Sequence, residues 1–178
     1  MKLFHVYSNS RMQDQKETWQ AVKNLQNEGY NIEDILLDDN LGYEELLYSI
    51  WTKEDIILIE QDIVPTKDLM EDLINCNYGD GICYHYYGIG RLFFGVNYER
   101  KEVGMQRVDY MMYKGFGFTK ILIKAQKLSN PNEWYHTSYQ GISGWKNLDT
   151  RVRLSFEKAG VNYHKHKYVM HNHLEDVK

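Results

Sequence analysis

The chain has 178 residues, 43% hydrophobic and 26% charged, with a net charge of −4, the balance of one ordinary globular domain. The absence of a basic block argues against a nucleic-acid partner, and no stretch approaches the roughly 18 apolar residues of a transmembrane segment. Two cysteines, Cys76 and Cys83, are too few for a disulfide framework and lack metal-ligand spacing. They are expected to be reduced, in a cytoplasmic protein. The opening MKLFHVYSNS has an apolar stretch too short for a signal peptide, and His5 breaks it. Tyrosine stands out at 15 residues. Its flat ring suits sugar C–H groups, and it also serves as half-buried core.

In chain order, KLFHVY (2–7) alternates as a first strand. Ser10 and Gln13 form a capping box that opens a helix to about Glu28, with Trp19, Val22 and Leu25 on one side and Gly29 as a left-handed cap. A second strand, 34–37, runs into Asp38-Asp39-Asn40, and a helix over about 43–52 buries Leu46, Leu47, Ile50 and Trp51. The third strand, 55–61, is almost continuously apolar, as a strand covered on both faces must be. Thr66 caps a third helix carrying Leu69, Met70, Leu73 and Ile74. This alternation predicts an α/β domain with a parallel sheet. A strand at 81–87 follows, then a looping insert over 88–114 without periodicity, then a strand entering a helix or turn over 115–128. The polar, aromatic segment SNPNEWYHTSYQGISGW precedes a helix over 150–159 and a last strand-like stretch, VNYHKHKYVMHNH.

Three groups carry candidate chemistry. Glu60 and Asp62 stand one residue apart at the end of the third strand. Period two along the strand puts both on one face, at the edge where ligands bind in open parallel sheets. Two hard oxygen donors there suit magnesium or manganese; a solvated pair leading into a turn is the alternative. His171 and His173 share a face of an extended segment, with His164 and His166 on the other if the strand stays regular. They read either as a metal-ligand set or as a solvated tail. Asp149 precedes a helix and reads as an N-cap or as a base that takes a proton late from a well-held hydroxyl.

Together these pieces resemble a small GT-A glycosyltransferase. LIEQDIVP (58–65) resembles the metal-binding D-x-D element in an E-x-D form, and GFGFTKILIKAQKL (115–128) the strand and helix after the acceptor loop. WKNLD (145–149) resembles the W-x-x-E-D element whose last acid is the base in inverting members, with Leu148 in place of its penultimate acid; VMHNH (169–173) fits a late metal-binding histidine. The compactness, with many tyrosines and lysines, is similar to that of glycosyltransferases from viruses of thermophilic archaea.

The resemblance implies one GT-A (Rossmann-like) domain over 1–178, with a mixed, mostly parallel sheet flanked by helices. Residues 1–87 would form the nucleotide-sugar and metal half, and 88–178 the acceptor half. It implies a hexosyltransferase-type enzyme that uses Mn2+ or Mg2+ and moves a sugar from a nucleotide-diphosphate donor to a hydroxyl of a glycan, glycoprotein or glycolipid, with inversion. Its setting would be the cytoplasm of a microbial or virus-infected cell. Glu60, Asp62, His171 and His173 would hold the metal, and Asp149 would act as base. Tyr7, Ser8, Asn9 and Asp39 would meet the nucleotide, and Trp134, Tyr135, Tyr139 and Trp145 the acceptor. Three other readings compete. A non-catalytic nucleotide-sugar or carbohydrate binding module would keep the fold without the base. A sugar-phosphate nucleotidyltransferase would need a glycine-rich first loop, which SNSRMQ lacks. A histidine-based metal hydrolase would leave Glu60 and Asp62 without a part.

Overall fold

The computed structural model describes residues 1–8, 15–37, 40–79, 81–86, 116–129, 152 and 155–171. The first half alternates strand and helix: β1 (Lys2–Ser8), α1 (Lys16–Asn27), β2 (Ile32–Leu37), α2 (Asn40–Ile50), β3 (Ile56–Glu60), the short β4 (Ile63–Val64) and α3 (Lys67–Asn75). Then come β5 (Ile82–Tyr86), β6 (Phe118–Ile121), α4 (Ile123–Leu128), β7 (Tyr163–Tyr168) and β8 (Met170–His171). Six strands form one sheet in the order β2-β1-β3-β6-β5-β7, and β4 pairs with β8 in a two-stranded sheet. β6 is antiparallel to both its neighbours, while the other pairings in the large sheet are parallel.

β3 shows why the sheet is central. Ile56 and Leu58 pack with Phe4, Val6, Leu47, Trp51, Ala125 and Phe156 on one face. Ile57 and Ile59 pack with Leu3, Val22, Leu25, Met70 and Leu73 on the other. All four β3 isoleucine and leucine side chains are fully buried, each contributing about 1.5–3 kcal/mol of transfer free energy. Thr66 accepts from Leu69 N at the start of α3, as the sequence predicts. Gly29 takes the left-handed φ of +99° that ends α1.

Gln126 fixes the turn into β3. Its Oε1 accepts from Thr52 N at 2.7 Å, and its Nε2 donates to the Glu54 and Ile121 carbonyls at 2.8 and 2.9 Å. Thr52 has φ +59°, a conformation costly for a branched residue, and the Gln126 bond holds its amide there.

Several expectations change. The capping box at Ser10 and Gln13 lies outside the described residues; α1 is described from Lys16, with Gln15 at its N-cap and no side-chain cap bond. The segment after Gly160 is not one regular strand: β7 ends at Tyr168 and β8 begins at Met170, with Val169 buried between them. That break cancels any face assignment counted through from His164 to His173. The cysteines are also not two separate thiols. Cys76, at the end of α3, and Cys83, in β5, are joined as a disulfide. Packing of α3 against β5 brings them together, which spacing cannot reveal. The compartment inferred from reduced cysteines loses that support. Among the described residues, no helix is long and apolar enough to cross a membrane.

Candidate active site

The parallel strands β1, β2 and β3 end together. Val6 is level with Glu60, and Ser8 with Leu37. Tyr7 and Ser8 thus stand at the same sheet edge as the end of β3. This edge lies outside the carboxyl ends of the strands, where α/β sheets bind ligands.

β3 stops at Glu60, whose N–H donates to the Gly117 carbonyl at 2.8 Å. Gln61 and Asp62 form a turn before β4. The expected strand to residue 61 is one residue shorter, so the period-two argument for a shared face of Glu60 and Asp62 ends at the turn. The turn, and not the strand pleat, therefore sets where the two side chains stand relative to one another. Glu60 is half-buried at the strand end, while Asp62 is only 7% exposed. β8 lies antiparallel to β4 with His171 opposite Ile63, so the backbone of His171 runs beside the residue that follows Asp62.

The side chain between the two acids does the local structural work. Gln61 Oε1 accepts from Ser8 N at 2.9 Å, from Ser8 Oγ at 3.2 Å and from Gln15 Nε2 at 3.0 Å. Gln15 Nε2 also donates to the Ser8 carbonyl at 2.7 Å. The network ties the end of β1, the start of α1 and the acidic turn into one unit. Ser8, which the sequence offers as a nucleotide contact, donates both its N–H and its hydroxyl to Gln61. The middle position of E-Q-D was the only available signal for Gln61, and Gln15 had none.

Below Tyr7 lies an aromatic group that sequence reading also missed. His5 stacks on Tyr7 with centroids 5.4 Å apart, and Trp19 meets Tyr7 edge-on at 4.8 Å. His5 Nδ1 bonds Asp34 Oδ1 at 2.9 Å, while its Nε2 is buried without a partner among the described residues. Burial pushes the His5 imidazole below its ordinary value, against the pull of Asp34. Burial also opposes the Asp34 charge, but bonds from Lys23, His5 and Gln26 outweigh it and hold that carboxyl low. Period two in KLFHVY could have aligned His5 with Leu3 and Tyr7; nothing local pointed to Asp34.

Of the other sequence candidates, Asn9, Asp39, Trp134, Tyr135, Tyr139, Trp145, Asp149 and His173 lie outside the described residues. His164 and His166 are on β7, at the far side of the sheet from β1. His166 bonds Asp72 of α3, and His164 stacks on Tyr78. They belong to a different cluster from Glu60 and Asp62.

A mixed six-stranded sheet flanked by helices, with an acidic turn at the carboxyl edge of its central strand, is the GT-A fold of glycosyltransferases, here in a small form. Solved structures with this likeness include the following. Glucosyl-3-phosphoglycerate synthase from Mycobacterium tuberculosis, in complex with Mn2+, UDP and glucosyl-3-phosphoglycerate, has a TM-score of 0.50 at 9% identity, over 97% of this chain and 72% of that one. A glycosyltransferase involved in glycosylation of the major capsid of PBCV-1 has a TM-score of 0.51 at 9% identity, over 94% and 83%. The galactosyltransferase LgtC, with donor and acceptor sugar analogs, has a TM-score of 0.51 at 14% identity, over 92% and 73%. No protein-family model matches the sequence, and no curated protein matches it.

Proposed function

We propose that the protein is a metal-dependent glycosyltransferase that moves a sugar from a nucleotide-diphosphate donor to an acceptor hydroxyl, with inversion. The observation that carries this reading is the acidic turn, Glu60-Gln61-Asp62, tied to the end of β1 at the ligand-binding edge of a GT-A sheet. The neighbouring folds add support at the level of general chemistry, since one of them holds Mn2+ and UDP.

The donor set fits a hard divalent cation. Two carboxylates within three residues supply oxygen ligands of the kind magnesium and manganese prefer, and β8 brings the backbone of His171 alongside. Glu60 and Asp62 would hold the ion, with His171 or His173 as a further ligand. When bound, such an ion neutralises the negative charge of the leaving diphosphate.

The protein's own residues do the rest. Gln61 keeps the acidic turn and the β1 end in fixed relation, which pre-organises the site before the donor arrives. Tyr7 offers a ring face beside that edge, and Asn9 and Asp39 are the proposed partners of base and ribose. Trp134, Tyr135, Tyr139 and Trp145 would give the acceptor flat apolar contacts. Asp149 would take the proton from the acceptor hydroxyl as it attacks the anomeric carbon from the side opposite the diphosphate, giving inversion.

Thermal-shift titration with UDP, GDP and their sugars, with and without manganese, tests the reading. Ligand at 100 times its dissociation constant stabilises by about 2.7 kcal/mol. Metal-dependent stabilisation by a nucleotide, followed by transfer to acceptor detected by mass spectrometry, is the expected result. Nucleotide binding without transfer from any donor would make the protein a binding module of the same fold. No binding at all would overturn the reading.

A further inference from the structure

A second cluster of metal-ligating side chains lies under α3, away from the acidic turn. Cys83 is level with Lys120, and Lys120 with Ile57. The cluster is therefore two strands across the sheet from β3 and about 10 Å closer to the strands' amino ends than Glu60. The register also puts Cys83 beside His164, and His166 follows two residues along β7. Over this face, α3 contributes Asp72 and Cys76.

Ligand atoms of Cys76, Cys83 and His166 all lie within 4.8 Å of one another. Thiolates sharing one tetrahedral zinc ion stand about 3.8 Å apart, from bonds of about 2.3 Å, so the two sulfurs, bonded in the disulfide, must part on reduction to coordinate one ion. His166 Nδ1 bonds Asp72 Oδ2 at 2.6 Å, and Lys167 Nζ holds Asp72 Oδ1 at 3.2 Å. A carboxylate on one imidazole nitrogen fixes the ring and its tautomer and leaves the other nitrogen as the donor, the arrangement that orients metal-binding histidines. Lys120 Nζ donates to the Ile74 and Cys76 carbonyls at 2.8 and 2.6 Å and so fixes the backbone at Cys76. A disulfide alone requires neither His166 nor Asp72.

We propose that Cys76, Cys83 and His166 form a site for a zinc-type divalent cation that opens when the disulfide is reduced. A dithiol reductant supplies two electrons and two protons: the Cys76–Cys83 bond breaks, two thiols form, and the reductant closes into its own disulfide. Binding of the ion then displaces both thiol protons, and two thiolates balance its charge, so the centre is neutral where it is buried. Solvent takes the fourth position. Nitrogen and thiolate donors select zinc over magnesium or manganese, so this site and the acidic turn would take different ions. The exposed Tyr78, stacked on His164 at 4.3 Å, lies in the segment between α3 and β5 through which an ion would enter.

The test is cobalt titration of the full chain, reduced with a phosphine that is then removed, against the oxidised chain. The expected result is one more Co2+ per reduced chain than per oxidised chain, with thiolate charge-transfer absorption and tetrahedral visible bands, both abolished by added Zn2+ and absent from the oxidised chain. Wild-type protein suffices for this step, so a variant that fails to fold does not block it. Cys83→Ser should remove the thiolate band, and His166→Gln and Asp72→Asn should each weaken cobalt affinity by about 10–100-fold. The proposal falls if the reduced wild type shows no thiolate band. It falls equally if His166→Gln, folded by circular dichroism, binds cobalt with wild-type affinity and spectrum.

Discussion

Ser8 and Gln61, 53 residues apart, are joined twice: Gln61 Oε1 accepts from both the amide and the hydroxyl of Ser8, at 2.9 and 3.2 Å. The same oxygen accepts from Gln15, itself buried. One side chain thereby sets the position of the acidic turn against the end of β1, the two parts of the proposed donor site.

Gln61→Leu keeps the size of this side chain and removes its acceptor. It leaves the Ser8 amide and the Gln15 amide group each short of a partner, at about 1–3 kcal/mol for each buried donor left unsatisfied. Denaturant unfolding should show a loss of that order. Nucleotide affinity, measured by calorimetry at a temperature where the variant is folded, should fall as well, because the turn is no longer held. Unchanged affinity would confine Gln61 to stability.

Asp62→Ala should abolish manganese-dependent nucleotide binding while the core survives, since Asp62 follows β3 in a turn and belongs to neither core cluster. Glu60→Gln should weaken the same binding. Nucleotide affinity that ignores both the Asp62 substitution and a chelator would remove the metal role.

The histidines near the carboxyl end need point variants rather than a broad deletion. Val169 is 1% exposed, and β8 pairs with β4, so removing residues from 169 onward would damage packing as well as any ligand. His171→Ala and His173→Ala should separate the two effects, with one of them reducing metal-dependent nucleotide binding and leaving the melting temperature close to wild type. Normal binding in both would leave His171 a strand residue only.

Asp149→Asn tests the proposed base. Asparagine serves nearly as well as aspartate at a helix N-cap, so the melting temperature should barely move, while transfer falls by roughly 10²–10⁴-fold. Donor binding should persist. Early melting with wild-type turnover per folded molecule would make Asp149 a cap.

Stability should depend on pH through His5. Its folded-state value lies below the ordinary 6.5 because burial disfavours the imidazolium more than Asp34 favours it, and Lys23 adds repulsion. The unfolded chain then binds more protons between the folded value and about 6.5, so stability is complete above that range and declines as pH falls through it. The slope contributed by one such group is at most about 1.4 kcal/mol per pH unit. Asp34, held low by Lys23, His5 and Gln26, adds a separate loss further down, where the unfolded carboxyl and then its own titrate. Urea unfolding between pH 7.5 and 5.5 should show the first decline, and His5→Gln should reduce it, leaving the part due to His85, whose imidazole is also pushed below its ordinary value by burial.

The amino-acid sequence by itself determined the elements and their covering. The unbroken apolar run of β3 required helices on both faces, Thr66 and Gly29 marked helix ends by local backbone chemistry, and the E-Q-D segment after that run located the candidate metal turn. These signals are local, read within a few residues by periodicity, capping and φ. Tertiary structure alone decided what depends on which strand lies beside which. The antiparallel insertion of β6 between β3 and β5, the tie from Gln61 to Ser8 and the bond from His5 to Asp34 join residues far apart in sequence. So does the pairing of β8 with β4 that carries the His171 backbone to the acidic turn, whereas His166 is drawn to Asp72 and the cysteines. The two histidines are five residues apart and alike in sequence context, but a buried Val169 between them ends one strand and starts another in a different sheet. The break at that one buried residue puts the two backbones in different sheets, and no period read along the chain contains it.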